Sequence, residues 1–126
     1  MSTTRAPKQK APALTVDCHF HIFGPYDRYP LSPGRTYDPP EALVPAYLSM
    51  AETVGIQRMV VVQASVSGTD NAVTLDAVAQ FGLHRARAVA VIDDSFDDAL
   101  RRVGVLGRLD QCHGVFGKAR AAVSRS

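Results

Sequence analysis

The stretch VDCHFHIFG, Val16 to Gly24, decides how this chain is read. Strand alternation places Asp17, His19 and His21 on one face and Val16, Cys18, Phe20 and Ile22 on the other. The apolar set suits a helix layer, which turns the polar set toward an interior at the strand's carboxyl end. Side chains two residues apart on a strand are separated by roughly 6–7 Å. Two imidazoles at that spacing can converge on one ion or one ligand. A lone histidine in a strand is most often a tolerated polar residue, but Asp, His and His on one inward face weaken that ordinary reading. An unpaired buried carboxylate costs several kcal/mol, so Asp17 requires a partner.

The flanking sequence alternates strands with helices. Gly24, Pro25, Pro30, Pro33, Gly34, Pro39 and Pro40 punctuate a long loop after the first strand, Ala13 to Ile22. Leu43, Tyr47, Leu48, Ala51 and Val54 carry helical spacing over Glu41 to Val54, and Gly55 is a stop signal. Pro45 belongs in the first turn of that helix. Arg58 to Ala64, with MVVV at its centre, reads as a strand buried on both faces. SVSGTDN supplies a turn with Asp70 or Asn71 as helix cap. Leu75, Val78, Ala79 and Gly82 mark one face of a second helix. RAVAVI, ending at Ile92, is a third strand, and Asp93 to Ser95 lead to a third helix around Asp97 to Val103. The order β, α, β, α, β, α predicts a parallel sheet with right-handed crossovers. The loops after the strands then share one rim, where ligands bind in such folds.

Composition narrows the function classes. The chain has 126 residues, 46% apolar and 21% charged, which fits one globular unit. Its formal charge is +2, and Arg5, Lys8 and Lys10 account for more than that excess. No basic stripe interleaved with aromatics appears, which argues against nucleic acid. No apolar run approaches a signal core or a membrane span, so a soluble cytoplasmic protein is expected. Cys18 and Cys112 form no CxxC, and reduced thiols are expected. No Gly-rich phosphate loop supports a complete doubly wound nucleotide domain.

VDCHFHIFGP, the YP of Tyr29 and Pro30, RTYDPP, VGIQRMVVVQAS, GTDNAVTLDA and ARAVAVID follow one another in an order that resembles the amidohydrolase-related TIM-barrel hydrolases. Within them the chain is most similar to the 2-pyrone-4,6-dicarboxylate lactonase group, from about Val16 to Leu100. The resemblance implies a (β/α)₈ barrel whose first strand carries His19 and His21 as catalytic residues. In the broader superfamily such a pair binds a divalent metal, usually zinc. The lactonase group works without one, with the histidines arranged around the substrate, and both alternatives stand. Matching positions make Tyr37, Ser65 and Ser67 substrate-binding, and hydroxyls can hydrogen-bond a carboxylate or a developing oxyanion. The implied substrate is a small carboxylated ring compound, and the implied reaction is lactone or carboxyl-derivative hydrolysis.

Each residue also has a plainer reading. Tyr37 can pack its proline-rich loop, and Gly68 to Asn71 can be a turn and cap. Gln63 fixes loop geometry, Arg28 and Arg35 are solvated or attract an anion, and Cys18 packs under a helix. His84 precedes the third strand, at the end away from the chemistry, and His113 has no assigned place.

A complete barrel needs about 250 residues, so this sequence accounts for about three of eight units. Further site residues of the family would lie on later strands. A catalytic zinc site has three protein ligands and a water, and two histidines do not predict stable metal capture. After Val103, GVLGRLDQCHGVFGKARAAVSRS departs from the family pattern, with HGVFG as a weak strand and AAVSRS as a frayed end. The expected organisation is a disordered polar tail over 1–12, a partial barrel over 13–103, and a divergent, truncated or frame-shifted segment over 104–126. Open sheet edges predict self-association and marginal stability. The opposing function class is a non-catalytic remnant or small α/β binding module.

Overall fold

The computed structural model of the protein describes residues 4–92 and 112–117. Four parallel strands form one sheet among the described residues, in the order β1 (Val16–Phe20), β2 (Arg58–Val62), β3 (Ala86–Ile92) and β4 (Cys112–Gly117). Two helices lie between the first three, α1 (Val44–Val54) and α2 (Ala72–Phe81). HGVFG, read as a weak strand, lies within β4, beside β3. The expected third helix falls outside the described residues.

The register explains the core. Met59 pairs with Ala86 and Val61 with Ala88, so these four side chains share one face. All four belong to the buried cluster that also holds Val73, Leu75, Ala77, Val78 and Phe81 of α2. Alanines on β3 opposite larger residues on β2 leave room for α2 to settle on the sheet. The helical face expected through Ala79 is rotated: Ala79 is exposed, and Thr74, Ala77, Val78 and Phe81 point inward. Phe81 sets that rotation, because its ring packs against Phe20 and Tyr47.

Helix α1 begins later than the expected Glu41 because Ala42 is already committed. It exchanges two backbone hydrogen bonds with Phe23, at 2.9 and 2.8 Å. Pro45 occupies the first turn as expected. Gly55 ends the helix in the left-handed conformation, φ +95°, and the N–H groups of Gly55 and Ile56 both donate to the Ala51 carbonyl at 2.8 Å. A Cβ at Gly55 would stand 3.1 Å from the Ala11 nitrogen and from Lys10 Cβ.

That close approach reflects where the amino-terminal segment lies. Ala11 N–H donates to the Val54 carbonyl at 2.9 Å, and Lys10 Nζ to the Glu52 carbonyl at 3.3 Å. The Arg58 guanidinium grips the Leu14 carbonyl through Nε at 2.9 Å and Nη2 at 2.6 Å. Lys10 and Ala11, at the end of the segment expected as a polar tail, thus dock on the carboxyl end of α1. No helix among the described residues is long and apolar enough to cross a membrane.

Strand β1 departs from simple alternation. Asp17 pairs with Met59 and Phe20 with Val61, so β1 advances three residues where β2 advances two. This is a bulge. Asp17 therefore shares the helix-facing side with Phe20, and Tyr47 of α1 contacts both. The expectation that Asp17 faces inward with the histidines is overturned, because the extra residue changes parity between positions 17 and 20. Cys18, expected to pack under a helix, is exposed for the same reason: Cys18 and His19 are the two consecutive exposed residues at the slip.

Candidate active site

The bulge leaves His19 and His21 together. Their ring centroids are 5.3 Å apart and the rings meet edge to face at 79°. His21 Nδ1 lies 2.8 Å from the Val62 carbonyl, the last residue of β2. A carbonyl only accepts, so this contact assigns the proton to Nδ1 and leaves the Nε2 lone pair free when the ring is neutral. His21 is half-buried and also touches the Phe23 ring at 5.7 Å. The His19 ring is exposed and hydrogen-bonds to no described residue.

Beneath the pair, on the helix side, lies a polar contact in an aromatic bed. Tyr47 Oη–H donates to Asp17 Oδ2 at 2.9 Å, and His19 backbone N–H donates to Asp17 Oδ1 at 3.2 Å. The Tyr47 ring stacks on Phe20 with centroids 3.8 Å apart and planes 8° from parallel. Burial first, then the hydrogen bond to Asp17 and its negative charge, hold the Tyr47 hydroxyl well above the usual phenol range. Tyr47 is therefore a neutral donor across the physiological range. Sequence reading placed Tyr47 only on an apolar helix face. The available signal was that a tyrosine facing a core needs a partner for its hydroxyl, as a buried carboxylate does.

The loop after β2 is built around Gln63, which is 5% exposed. Its amide donates to the Gly68 carbonyl at 3.0 Å and the Asp70 carbonyl at 2.9 Å, and its oxygen accepts the Thr74 hydroxyl. This is the loop-fixing role expected of it. Ser65 and Ser67 lie on the 3₁₀ turn Ser65–Ser67 that Gln63 pins at the carboxyl end of β2. Ser65 is exposed and Ser67 half-buried. The β1 loop docks on the same turn, with Ser32 N–H donating to the Val66 carbonyl at 2.7 Å.

Asn71 sits at the start of α2 without capping it through its side chain. The Asp70 carboxylate receives the Ala72 N–H at 3.1 Å instead. The Asn71 amide bonds both the carbonyl and the N–H of Val91, at 2.8 and 2.9 Å. It continues the ladder beside β3 beyond the last residue of β2.

Tyr37 is 44% exposed in the proline-rich loop, and its hydroxyl hydrogen-bonds to no described residue. It lies near Tyr26, whose hydroxyl donates to the Pro39 carbonyl at 2.7 Å. No hydrogen bond or ring contact among the described residues joins Tyr37 to the histidines. Arg35 is paired with Asp38 at 2.6 Å, and Arg28 lies over the Tyr29 ring, 5.3 Å from its centroid. His84 is exposed in the turn before β3, at the opposite end as expected. His113 falls on β4. A cavity of about 620 Å³ also lies at the amino end, lined by Lys10, Glu52, Gln57 and Arg85 among others, and neither imidazole lines it.

Two imidazoles alone do not complete a metal centre. Both Asp17 oxygens are engaged away from them, and no cluster of three or more His, Cys, Asp or Glu could hold a metal ion among the described residues. A catalytic zinc site needs a third protein ligand, so the described residues do not by themselves fit one.

The parallel sheet, the histidine pair on its first strand and the rim loops fit a known family. Residues 16–109 match the amidohydrolase profile. The chain belongs to the amidohydrolase family. It is 39% identical over 105 residues to the 2-pyrone-4,6-dicarboxylate hydrolase of Comamonas testosteroni, covering 80% of this chain and 34% of that protein. It is 35% identical over 101 residues to the 4-sulfomuconolactone hydrolase of Hydrogenophaga intermedia, covering 80% of this chain and 32% of the relative. The crystal structure of a probable 2-pyrone-4,6-dicarboxylic acid hydrolase from Acinetobacter baumannii, with citric acid bound, superposes with a TM-score of 0.65 at 26% identity. That match covers 81% of this chain and 36% of that one. The chain thus spans about a third of the length of these relatives, and its sheet corresponds to part of an amidohydrolase-type TIM barrel.

Proposed function

We propose that this chain supplies the first-strand portion of a hydrolytic site for a small carboxylated lactone, of the 2-pyrone-4,6-dicarboxylate kind. The convergence of the His19 and His21 rings at the carboxyl end of the sheet carries the reading. In the reaction a water oxygen bonds to the lactone carbonyl carbon, the ring C–O bond breaks, and the leaving oxygen takes up a proton. His19 and His21 orient the substrate at its carbonyl. With Nδ1 committed to Val62, neutral His21 accepts a proton or hydrogen bond at Nε2. It polarises a carbonyl oxygen only as the imidazolium, when both nitrogens donate. Ser65, Ser67 and Tyr37 hydrogen-bond the substrate carboxylates. Hydrolysis is the family-level chemistry of the named relatives, and a cytoplasmic location goes with the reading. Zinc between the two imidazoles belongs to it only if a third ligand joins them, and no step here is routed through a metal.

One observation favours the non-catalytic module instead: Asp17 is turned to Tyr47, and no described carboxylate stands beside the imidazoles to activate water. The deciding experiment fuses this chain to the remaining two thirds of the Comamonas relative and follows hydrolysis of 2-pyrone-4,6-dicarboxylate. Turnover that falls at least ~100-fold in both His19→Ala and His21→Ala supports the reading. A fusion that turns over with both histidines replaced defeats it.

A further inference from the structure

His19 and His21 are held in different ways. The His21 ring is anchored directly, Nδ1 against the Val62 carbonyl at 2.8 Å. The His19 ring is exposed and has no hydrogen bond of its own among the described residues. What fixes its direction is the backbone, and the backbone at that point is a bulge. A bulge leaves one residue outside the ladder, so its local geometry depends on whatever else holds the freed groups. Here the His19 N–H is held by Asp17 Oδ1 at 3.2 Å. The other Asp17 oxygen is held by Tyr47 Oη at 2.9 Å. Tyr47 in turn is fixed by its stack on Phe20 and its edge contact with Phe81, centroids 5.4 Å apart.

We propose that Tyr47 of α1 is a positioning residue for the histidine pair, acting through the Asp17 carboxylate on the bulged backbone that aims His19 at His21. The proposal rests on the reading of the pair as the reacting end of the site, and it adds a residue on the helix layer that never reaches substrate. The geometry makes the roles distinct. Tyr47 sets which carboxylate oxygen is free for the backbone, Asp17 holds the slip between positions 17 and 20, and the slip sends Asp17 outward while the imidazoles stay inward. Without the hydroxyl, the carboxylate has no donor on the helix side among the described residues. It is then free to rotate away from the His19 N–H, and the His19 ring loses its fixed direction while His21 keeps its own anchor.

The test uses Tyr47→Phe, which retains the stack on Phe20, and Asp17→Asn, which replaces one of the two accepting oxygens with a donor. Ring-proton NMR of the 126-residue chain reads the outcome without any assay of turnover. In the unaltered chain a nuclear Overhauser contact between the His19 and His21 rings is expected from their 5.3 Å separation. In both variants that contact should weaken severalfold and the His19 ring resonances should shift, with the His21 resonances and the Phe20 to residue 47 contact retained. A purely structural role for Tyr47 would lower the melting temperature with the His19 to His21 contact intact, and that result overturns the proposal. Should Tyr47→Phe fail to fold, Asp17→Asn decides alone by the same contact. In the fusion protein, Tyr47→Phe should lower kcat about tenfold at little-changed KM. If instead His19→Ala and His21→Ala leave turnover intact, the site reading fails while the NMR contact still decides the positioning role.

Discussion

β1 and β2 lie side by side in one sheet and differ in almost every physical respect. β2 is regular against β3, and its Met59, Val61 and Val62 are buried. β1 slips register within five residues and buries none of its side chains fully. The regular strand carries the core, and the irregular one carries the imidazoles. Close-packed apolar side chains reward strict alternation. Two histidines and a carboxylate sent to opposite sides of a strand require its interruption. The contrast separates residues that hold the fold from residues of the candidate site.

The largest blow to the core side of this contrast is Phe81→Ala. Its ring is 2% exposed and touches both Phe20 and Tyr47, so urea unfolding should show a loss of about 3–5 kcal/mol. Gln63→Ala comes next, at about 2–3 kcal/mol, because three hydrogen bonds vanish and two loop carbonyls lose their donor. Hydrogen exchange across 64–70 should accelerate with it, and unchanged exchange would mean that the loop is set by its own turns.

A smaller effect belongs to pH. The Tyr47 hydroxyl is raised above its ordinary 10.0 in the folded chain. The folded state therefore holds this proton more tightly, and its contribution is fully present below pH 10 and is lost as pH rises beyond it. Alkaline titration of stability should show that decline, and Tyr47→Phe should flatten it. The smallest change in stability is expected from His19→Ala. The side chain is exposed, so unfolding should move by no more than about 0.5 kcal/mol, although the same substitution is expected to be among the most damaging to turnover. A loss of several kcal/mol there would erase the division between the two strands.

Much of the fold could be read before any coordinates. MVVV and RAVAVI are apolar runs with no polar face, which suits parallel strands covered on both sides. Gly55 and Pro45 bounded α1 as expected, because a left-handed stop and a missing N–H are local requirements. The histidine pair was legible too, since the slip between Asp17 and Phe20 still leaves the rings of residues 19 and 21 together. Asp17 was misread because it lies across the slip, and a bulge is set by neighbouring strands. Tyr47 was read as packing only, since nothing within α1 tells where its hydroxyl goes. Ala79 was placed on the buried face of α2 because helical spacing defines a stripe without fixing its rotation, which Phe81 settled by reaching the aromatic bed.

The amino-acid sequence by itself determined the alternation of strands and helices, the parallel class of the sheet, and the family, because periodicity, turn residues and motif order are properties of short segments. Tertiary structure alone decided which side of β1 Asp17 occupies, what anchors His21, and how Gln63 and Asn71 tie the rim together. Those depend on hydrogen bonds between residues as much as 41 positions apart, as between His21 and Val62. Such partners are chosen only when the strands come into register.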